Sequence, residues 1–415
     1  MQIKRTTMAL TLAAAFGIAP ALAQKPAPSI PRLEHVFVIV MENHYYGQIF
    51  GSPYAPFVNA YAKSANLAAN YFGVGHPSLT NYLEIVGGSN FGVVNDNSPD
   101  WHNTACRSNL ELNTPSLEGA PDTCPIAGSG MDAATPAVDT TNEGTPAAPI
   151  YNDPIAPAHT VGKTIADQLV EAGLTWKSYQ ESLPPYGADR INNSDGMISD
   201  VTSSVSGMPK LYAVKHNPFV YFASVQAGDE DNSLRNTQGF ERLYADLRRG
   251  EVPNYSFIVP NQCHDQHGRG GNEVGPYCQY ANDNLVVQAG DVTVQNLVGA
   301  IKASEAWQHG HNAIVVVWDE NDYSSLPNQV VTIVDTNYGV AGVTSKVKYN
   351  HFSLLKTLEA GFGLSYLNHA ADDNVPLMSD LFAPKSHRAS VSSAATPPSG
   401  GFALRCPGRP ERPAA

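Results

Sequence analysis

Residues 35–41, HVFVIVM, form an unbroken apolar run between polar positions. A run this short, without alternation, reads as a parallel strand covered on both faces. Residues 313–318, AIVVVW, show the same pattern more strongly. The spans 175–180, 219–225, 254–260 and 329–334 read as further strands. Between them the apolar spacing becomes helical, over 55–64, 78–86, 161–172, 239–249, 292–307 and 351–362. Gly87-Gly88 and Gly173 stand as stops after two of these helices. Strand and helix in alternation predict an α/β fold. Its core should be a doubly wound, mostly parallel central sheet with helices on both faces.

Two stretches leave this pattern. Residues 89–158 are dominated by Asn, Asp, Pro, Thr, Ala and Gly. They read as a long insertion, either a lid or a surface loop without a role. Residues 385–415, rich in Ser, Ala, Pro and Arg, read as a flexible tail. A single domain is therefore expected over residues 24–384.

At the N-terminus, Lys4 and Arg5 precede an apolar segment that ends Ala21-Leu22-Ala23. This has the form of a signal peptide over residues 1–23. No later run approaches the ~18 apolar residues needed to span a bilayer. The expectation is a secreted or periplasmic protein with no stable membrane insertion. Five cysteines in an oxidising compartment suggest local disulfides, Cys106–Cys124 and Cys263–Cys278, with Cys406 left over. Hydrophobic residues make up 42% of the 415, enough for a substantial core. A net charge of −13 excludes nucleic-acid binding as the main role, because an acidic surface repels phosphate backbones. A small phosphate ester stays open, since one site can be made locally cationic by a metal.

Ligands of doubly wound sheets bind beyond the carboxyl ends of the strands. Glu42, Asn43 and His44 follow the first strong strand. Asp319, Glu320, Asn321 and Asp322 follow the last. Asn261, His264, Asp265 and His267 follow the strand over 254–260. Any one acidic residue there is as readily a helix cap or a turn former. Glu42, Asn43, Asp319 and Glu320 together offer the oxygen ligands of a hard divalent cation. His264 and His267 either serve that site or decorate a loop tied by Cys263 and Cys278. Ser78 opens a helix after the turn Gly75-His76-Pro77. Its hydroxyl would lie in the positive field of the helix end, which favours a phosphate. Ser78 is thus either a plain N-cap or, if bound to a metal, a phosphoryl acceptor.

Six motifs in fixed order resemble the phosphoesterase family of the alkaline-phosphatase superfamily, which holds bacterial acid phosphatases and phospholipases C. They are VIVMENHYYGQIFG, GHPSLTNYLEIVGG, KHNPFVYF, PNQCHDQHG, VVVWDEND and YNHFSLLKTLEAGFGL. The resemblance covers about residues 33–365 apart from the insertion. It implies a nucleophile at Ser78 and metal ligation by Glu42, Asn43, Ser78, Asp319 and Glu320. It also implies phosphate contact by Asn81, active-site roles for His216 and His267, and substrate contact by His264 and His351, although His351, as the first residue of a helix following a strand, could equally be structural. Two departures matter. The phospholipase branch usually carries Arg-Ser-Phe-Asp after its Met-Glu-Asn, where this chain has His44-Tyr45-Tyr46. Glu320 stands where the family often has Asp.

The expected activity is metal-assisted hydrolysis of small phosphate monoesters through a phosphoserine. A phospholipase C acting on phospholipid headgroups is the alternative within that chemistry, with Tyr45, Tyr46, Phe50, Tyr71 and Phe72 lining an apolar entrance or simply belonging to the core. A non-catalytic binding protein on the same scaffold is the alternative outside it.

Overall fold

The computed structural model describes residues 30–93, 95–99, 123–127, 161–183, 211–269 and 274–385. In chain order its strands are β1 (His35–Met41), β2 (Asn66–Ala68), β3 (Tyr71–Phe72), β4 (Trp176–Gln180), β5 (Thr237–Gly239), β6 (Tyr255–Val259), β7 (Asn312–Trp318), β8 (Gln329–Val330), β9 (Thr332–Thr336), β10 (Thr344–Ser345) and β11 (Tyr349–Asn350). The longer helices are α1 (Pro56–Ser64), α2 (Ser78–Gly87), α3 (Ile165–Glu171), α4 (Phe240–Arg249), α5 (Asp283–Ala303) and α6 (His351–Phe362). The described residues up to Pro384 belong to one compact unit.

The large sheet has the order β10-β2-β9-β7-β1-β6-β4-β5. Its pairings from β7 through β5 are all parallel. β9 runs antiparallel to β7 and to β2. Every residue of β7 is buried, and so is every residue of β1 after His35. Successive side chains on a strand point to opposite faces, so both faces of the sheet centre are covered. The continuous apolar runs are what that burial requires. A small second sheet, β11-β3-β8, lies outside this order.

Helix boundaries follow local chemistry. Thr164 caps α3, its hydroxyl accepting from Ala166 N, and Asp167 returns a bond to Thr164 N. This capping box starts the helix later than the spacing predicted. α2 ends at Gly88, whose φ of 73° favours glycine and where a Cβ would come within 2.7 Å of Leu367 O.

Three expectations need correction. Residues 219–225 form no strand: Pro218–Tyr221 is a 3₁₀ turn and Ala223–Gln226 one helical turn. Its first four residues, Phe219–Phe222, are apolar because they are fully buried, whereas Ser224 is exposed, and Pro218 opens the first turn. The expected strand over 329–334 is split between β8 and β9, in different sheets. The helix expected over 292–307 begins at Asp283 and ends at Ala303; Ser304 then caps a separate turn, Glu305–Gln308.

Cys263 and Cys278 form a disulfide. Cys124 is also disulfide-bonded. Residues 1–23, read as a signal peptide, Cys106, Cys406, the expected tail and most of residues 89–158 lie outside the described residues. Among the described residues no helix is long and apolar enough to cross a membrane.

Candidate active site

β1 and β7 run in register, Met41 opposite Trp318, so the residues after them leave the sheet at one edge. Asp319 N donates to Met41 O at 3.0 Å, and Glu42 N to Asp265 O at 2.8 Å. The exits of β1, β6 and β7 are thereby tied together. Asn43 takes a left-handed conformation, φ 57°, which Asn tolerates better than most residues. Its N–H donates to Asp319 Oδ1 at 3.2 Å. Glu42, Asp319 and Glu320 are all buried.

α2 points its first residue at this edge. The loop before it is folded by Asn81, whose Oδ1 accepts from Val74 N and Gly75 N and whose Nδ2 donates to Gly75 O at 2.8 Å. A Cβ on Gly73 would come within 2.6 Å of Asp319 O, so only glycine lets the loop pass the end of β7. Ser78 Oγ lies 3.1 Å from Glu42 Oε2 and 3.3 Å from Glu320 Oε1. Asn81 Nδ2 also donates to Glu320 Oε2 at 3.0 Å. Asn81 thus shapes the loop and also reaches the site carboxylate of Glu320.

The histidines divide by position. His216 stacks on Tyr82 and puts Nε2 at 3.1 Å from Glu42 Oε1 and Nδ1 at 3.4 Å from Asp265 Oδ2. His267 is buried beside it, ring centroids 6.1 Å apart, with Nδ1 on Gly268 O and Nε2 without a hydrogen-bond partner. His351 lies behind Asp319: Nε2 binds the Asp319 carbonyl and Nδ1 meets Tyr71 Oη. His264 faces away from this cluster. Its Nδ1 pairs with Glu181 at 2.8 Å and 44% of its side chain is exposed. Tyr71 is core rather than an entrance residue.

Three further residues enter the site that the motifs did not single out for a role. His76 Nδ1 lies 2.7 Å from Glu320 Oε2, its ring stacked on Tyr323. Lys215 is fully buried, Nζ at 3.4 Å from Ser78 Oγ and 3.0 Å from Asp96 Oδ2. Asp96 accepts from Leu79 N at 3.0 Å with its other oxygen. His76 and Lys215 are neighbours of singled-out residues within quoted motifs. Asp96 falls in the polar insertion, where nothing distinguished it.

Burial dominates the electrostatics. It pushes Glu42 up to about 8, with Lys215 opposing and Glu320 adding. It also raises Asp319, aided by Glu42 and Glu320, and raises Asp265, again with Glu42. Glu320 is raised by burial against the pull of His76. Burial alone would discharge Lys215, but Asp96, Glu42 and Glu320 hold its pKa above the ordinary lysine value. Burial and Lys215 lower His216 well below the usual range and bring His267 down to about 3. Crowded buried carboxylates of this kind are relieved by a cation.

Asn43 Oδ1 and Asp319 Oδ2 are buried and accept no hydrogen bond. With Glu42, Ser78 and Glu320 they are hard oxygen donors, which fits a divalent cation. Among the described residues no three His, Cys, Asp or Glu side chains form a ready cage, so a cation would draw on Asn43 and Ser78 as well.

A model of the Phosphoesterase family matches residues 52–365. The chain belongs to the phosphoesterase family and is a phosphoric ester hydrolase. It is 25% identical over 361 residues to a phosphatidylinositol-3-phosphatase of Mycobacterium tuberculosis, covering 86% of this chain and 85% of that one. It is 25% identical over 309 residues to a phosphate-repressible acid phosphatase of Penicillium chrysogenum, covering 74% of this chain and 54% of that one. A probable acid phosphatase of Kluyveromyces lactis is 24% identical over 345 residues, and the match spans 82% of this chain and 61% of the yeast protein. Among solved structures, a protein in the alkaline phosphatase superfamily from Vibrio parahaemolyticus has a TM-score of 0.42 at 12% identity, covering 83% of this chain and 72% of that one. A sulfatase from Pseudoalteromonas sp. has a TM-score of 0.42 at 10% identity, covering 85% and 72%. At those scores the structural likeness carries no argument about function.

Proposed function

We propose that the protein is a phosphomonoesterase of acid-phosphatase type that works through a phosphoserine at Ser78. The observation that carries this is the position of Ser78 Oγ. It stands at the N-terminus of a ten-residue helix and within 3.3 Å of two buried carboxylates. A helix cap needs neither carboxylate. The acid phosphatases among the relatives support the monoester reading. The signal-like segment over residues 1–23 supports export to the periplasm or the exterior, with the domain occupying residues 24–384.

Ser78 Oγ attacks phosphorus in line, and its bond to phosphorus forms as the bond to the leaving alcohol breaks. The hydroxyl proton leaves toward Glu42 Oε2, the carboxylate oxygen 3.1 Å from Ser78 Oγ. A neutral His216, with Nε2 3.1 Å from the other Glu42 oxygen, protonates the leaving alkoxide in this step and takes a proton from the attacking water in the next. Water then attacks phosphorus, releasing phosphate and restoring the serine hydroxyl. Glu42, Asn43, Ser78, Asp319 and Glu320 would hold a divalent cation, which when bound would supply the positive charge that offsets the phosphate oxygens. His267, with Nδ1 on Gly268 O and a bare Nε2, is suited to bind a cation and not to donate. Asn81 and His351 serve as supports for the loop and for Asp319, and His264 lies outside the chemistry.

The test is Ser78→Ala with p-nitrophenyl phosphate as substrate. Turnover should fall by several orders of magnitude while the fold persists: Ser78 caps no backbone N–H, and the Ala variant loses only its hydroxyl's contacts with Glu42, Glu320 and Lys215, about 1–3 kcal/mol. Acid quench of the native enzyme should trap phosphate on Ser78. An active Ala variant would sink the mechanism. A native enzyme without turnover at any pH or divalent metal would favour a binding protein instead. A second reading takes the same chemistry to a lipid headgroup, favoured by the phosphatidylinositol-3-phosphatase among the relatives. Comparing p-nitrophenyl phosphate, p-nitrophenyl phosphorylcholine and phosphatidylinositol 3-phosphate separates small monoester, phospholipase C and phosphoinositide activities.

A further inference from the structure

Lys215 is among the largest side chains in the protein that are fully enclosed. Proteins bury an ammonium only where it is paired, because its desolvation is otherwise uncompensated. Asp96 Oδ2, at 3.0 Å, supplies the pair. The same ammonium reaches Ser78 Oγ at 3.4 Å, and Asp96 turns its other oxygen to Leu79 N, one residue along the helix from Ser78. The contact is therefore braced from two sides. The 3₁₀ turn Val214–His216 places Lys215, and the start of α2 places Asp96. A lysine whose task was only to neutralise Asp96 would have no need to touch the serine.

We propose that Lys215 is a catalytic residue and that Asp96 is its positioning residue; this rests on the reading of Ser78 as nucleophile. The ammonium keeps its proton throughout and forms no covalent bond. In the first half-reaction it stabilises charge on Ser78 Oγ and on the phosphoryl oxygens as the Oγ–P bond forms and the ester P–O bond breaks. In the second half-reaction water bonds to phosphorus, the Oγ–P bond breaks, and the same ammonium faces the serine oxygen while it is negative. One fixed cation thus serves Ser78 both as nucleophile and as leaving group.

The decisive variant is Lys215→Met with Asp96→Asn, which removes the charge without stranding a buried carboxylate. Its melting temperature should stay near that of the native protein. Its kcat on p-nitrophenyl phosphate should fall by about 10²–10³, the loss typical for one preorganised donor. Inhibition by inorganic phosphate should weaken as well. A folded double variant with near-native kcat would overturn the proposal, and so would a double variant that regains activity lost in Lys215→Met alone, since the lysine would then only balance Asp96. Asp96→Asn alone is isosteric and keeps the test open if the lysine variants do not fold. It should lower kcat with little change in KM, and an unchanged kcat would overturn the proposal. Acid-quench trapping of phosphoserine on the native enzyme separates the two ideas. Trapped phosphate with an active double variant removes the role of Lys215 only; no trapped phosphate removes the nucleophile itself.

Discussion

His351 Nε2 donates a hydrogen bond to the backbone carbonyl of Asp319 at 2.6 Å. The first residue of α6 is thereby fastened to the residue that leaves β7. With the Nε2 proton so assigned, Nδ1 accepts from Tyr71 Oη, 3.1 Å away. The ring is fully buried, and burial holds it at about 4, so it stays neutral near neutral pH. Asp319 is thus aimed from behind by an uncharged donor.

Replacing His351 with Phe should lower activity by about 10–100-fold, the usual cost of losing a support to a site ligand. The loss should appear in cation affinity as well as in kcat. Tyr71→Phe keeps the donor to Asp319 and should cost much less. Kinetics and metal titration on the two variants check this; equal losses would mean that the pair is merely core packing.

The carboxylate cluster predicts a cation dependence of stability. Adding a divalent cation to metal-stripped protein should raise the melting temperature, by an amount worth about 2.7 kcal/mol at a hundredfold excess over Kd. Asp319→Asn or Glu42→Ala should remove that rise together with turnover. Differential scanning calorimetry with and without cation reads both. A variant that keeps the full response would place the cation elsewhere.

Much of this arrangement was legible in the sequence because burial on both faces leaves a continuous apolar run. Residues 35–41 and 313–318 could be assigned for that reason, and the acidic residues after them followed. The misreading of 219–225 has the same source: the fully buried turn over Phe219–Phe222 produces the same run as a central strand. Strands of two or three residues, such as β3, β8 and β11, are too short to carry a period. Lys215 was not legible as a partner of Ser78, nor Asp96 as the partner of Lys215. Their contacts span 137 and 119 residues of chain, and no local spacing encodes such a meeting.

Glu359 carries a pH prediction away from the site. It lies near the C-terminal end of α6, one oxygen accepting from Leu367 N at 2.9 Å and the other without a partner. Burial pushes its pKa well above the ordinary carboxylate value, with Leu367 and Lys356 opposing. The folded state therefore binds a proton that the unfolded state releases above its ordinary pKa, so this group lowers stability as pH rises through that window. Its position at the negative end of a helix works in the same direction. Glu359→Gln keeps the acceptor for Leu367 and removes the charge. Its melting temperature should exceed that of the native protein by a few degrees at pH 7 and match it below about pH 4. A gain that does not vary with pH would refute the assignment.

The Cys263–Cys278 disulfide closes a loop with a sequence separation of 15, and that loop carries Asp265 and His267. Chain entropy assigns such a closure about 3 kcal/mol of stability. Whether it also shapes the site depends on what else holds the loop. Asn261 Oδ1 accepts from Cys263 N and His264 N at 3.0 and 3.2 Å. Asp265 Oδ1 accepts from His267 N at 2.7 Å, and Gly268 N donates to Gln262 O at 2.7 Å. Glu42 N closes the far side on Asp265 O. These bonds fix both functional side chains without the disulfide. Replacing both cysteines with Ala should therefore lower unfolding stability by about 3 kcal/mol while turnover of the folded protein changes only a few-fold. Denaturant titration and kinetics on the same sample test the separation. A folded variant without activity would show that the disulfide, and not the hydrogen-bonded turn, sets the position of His267.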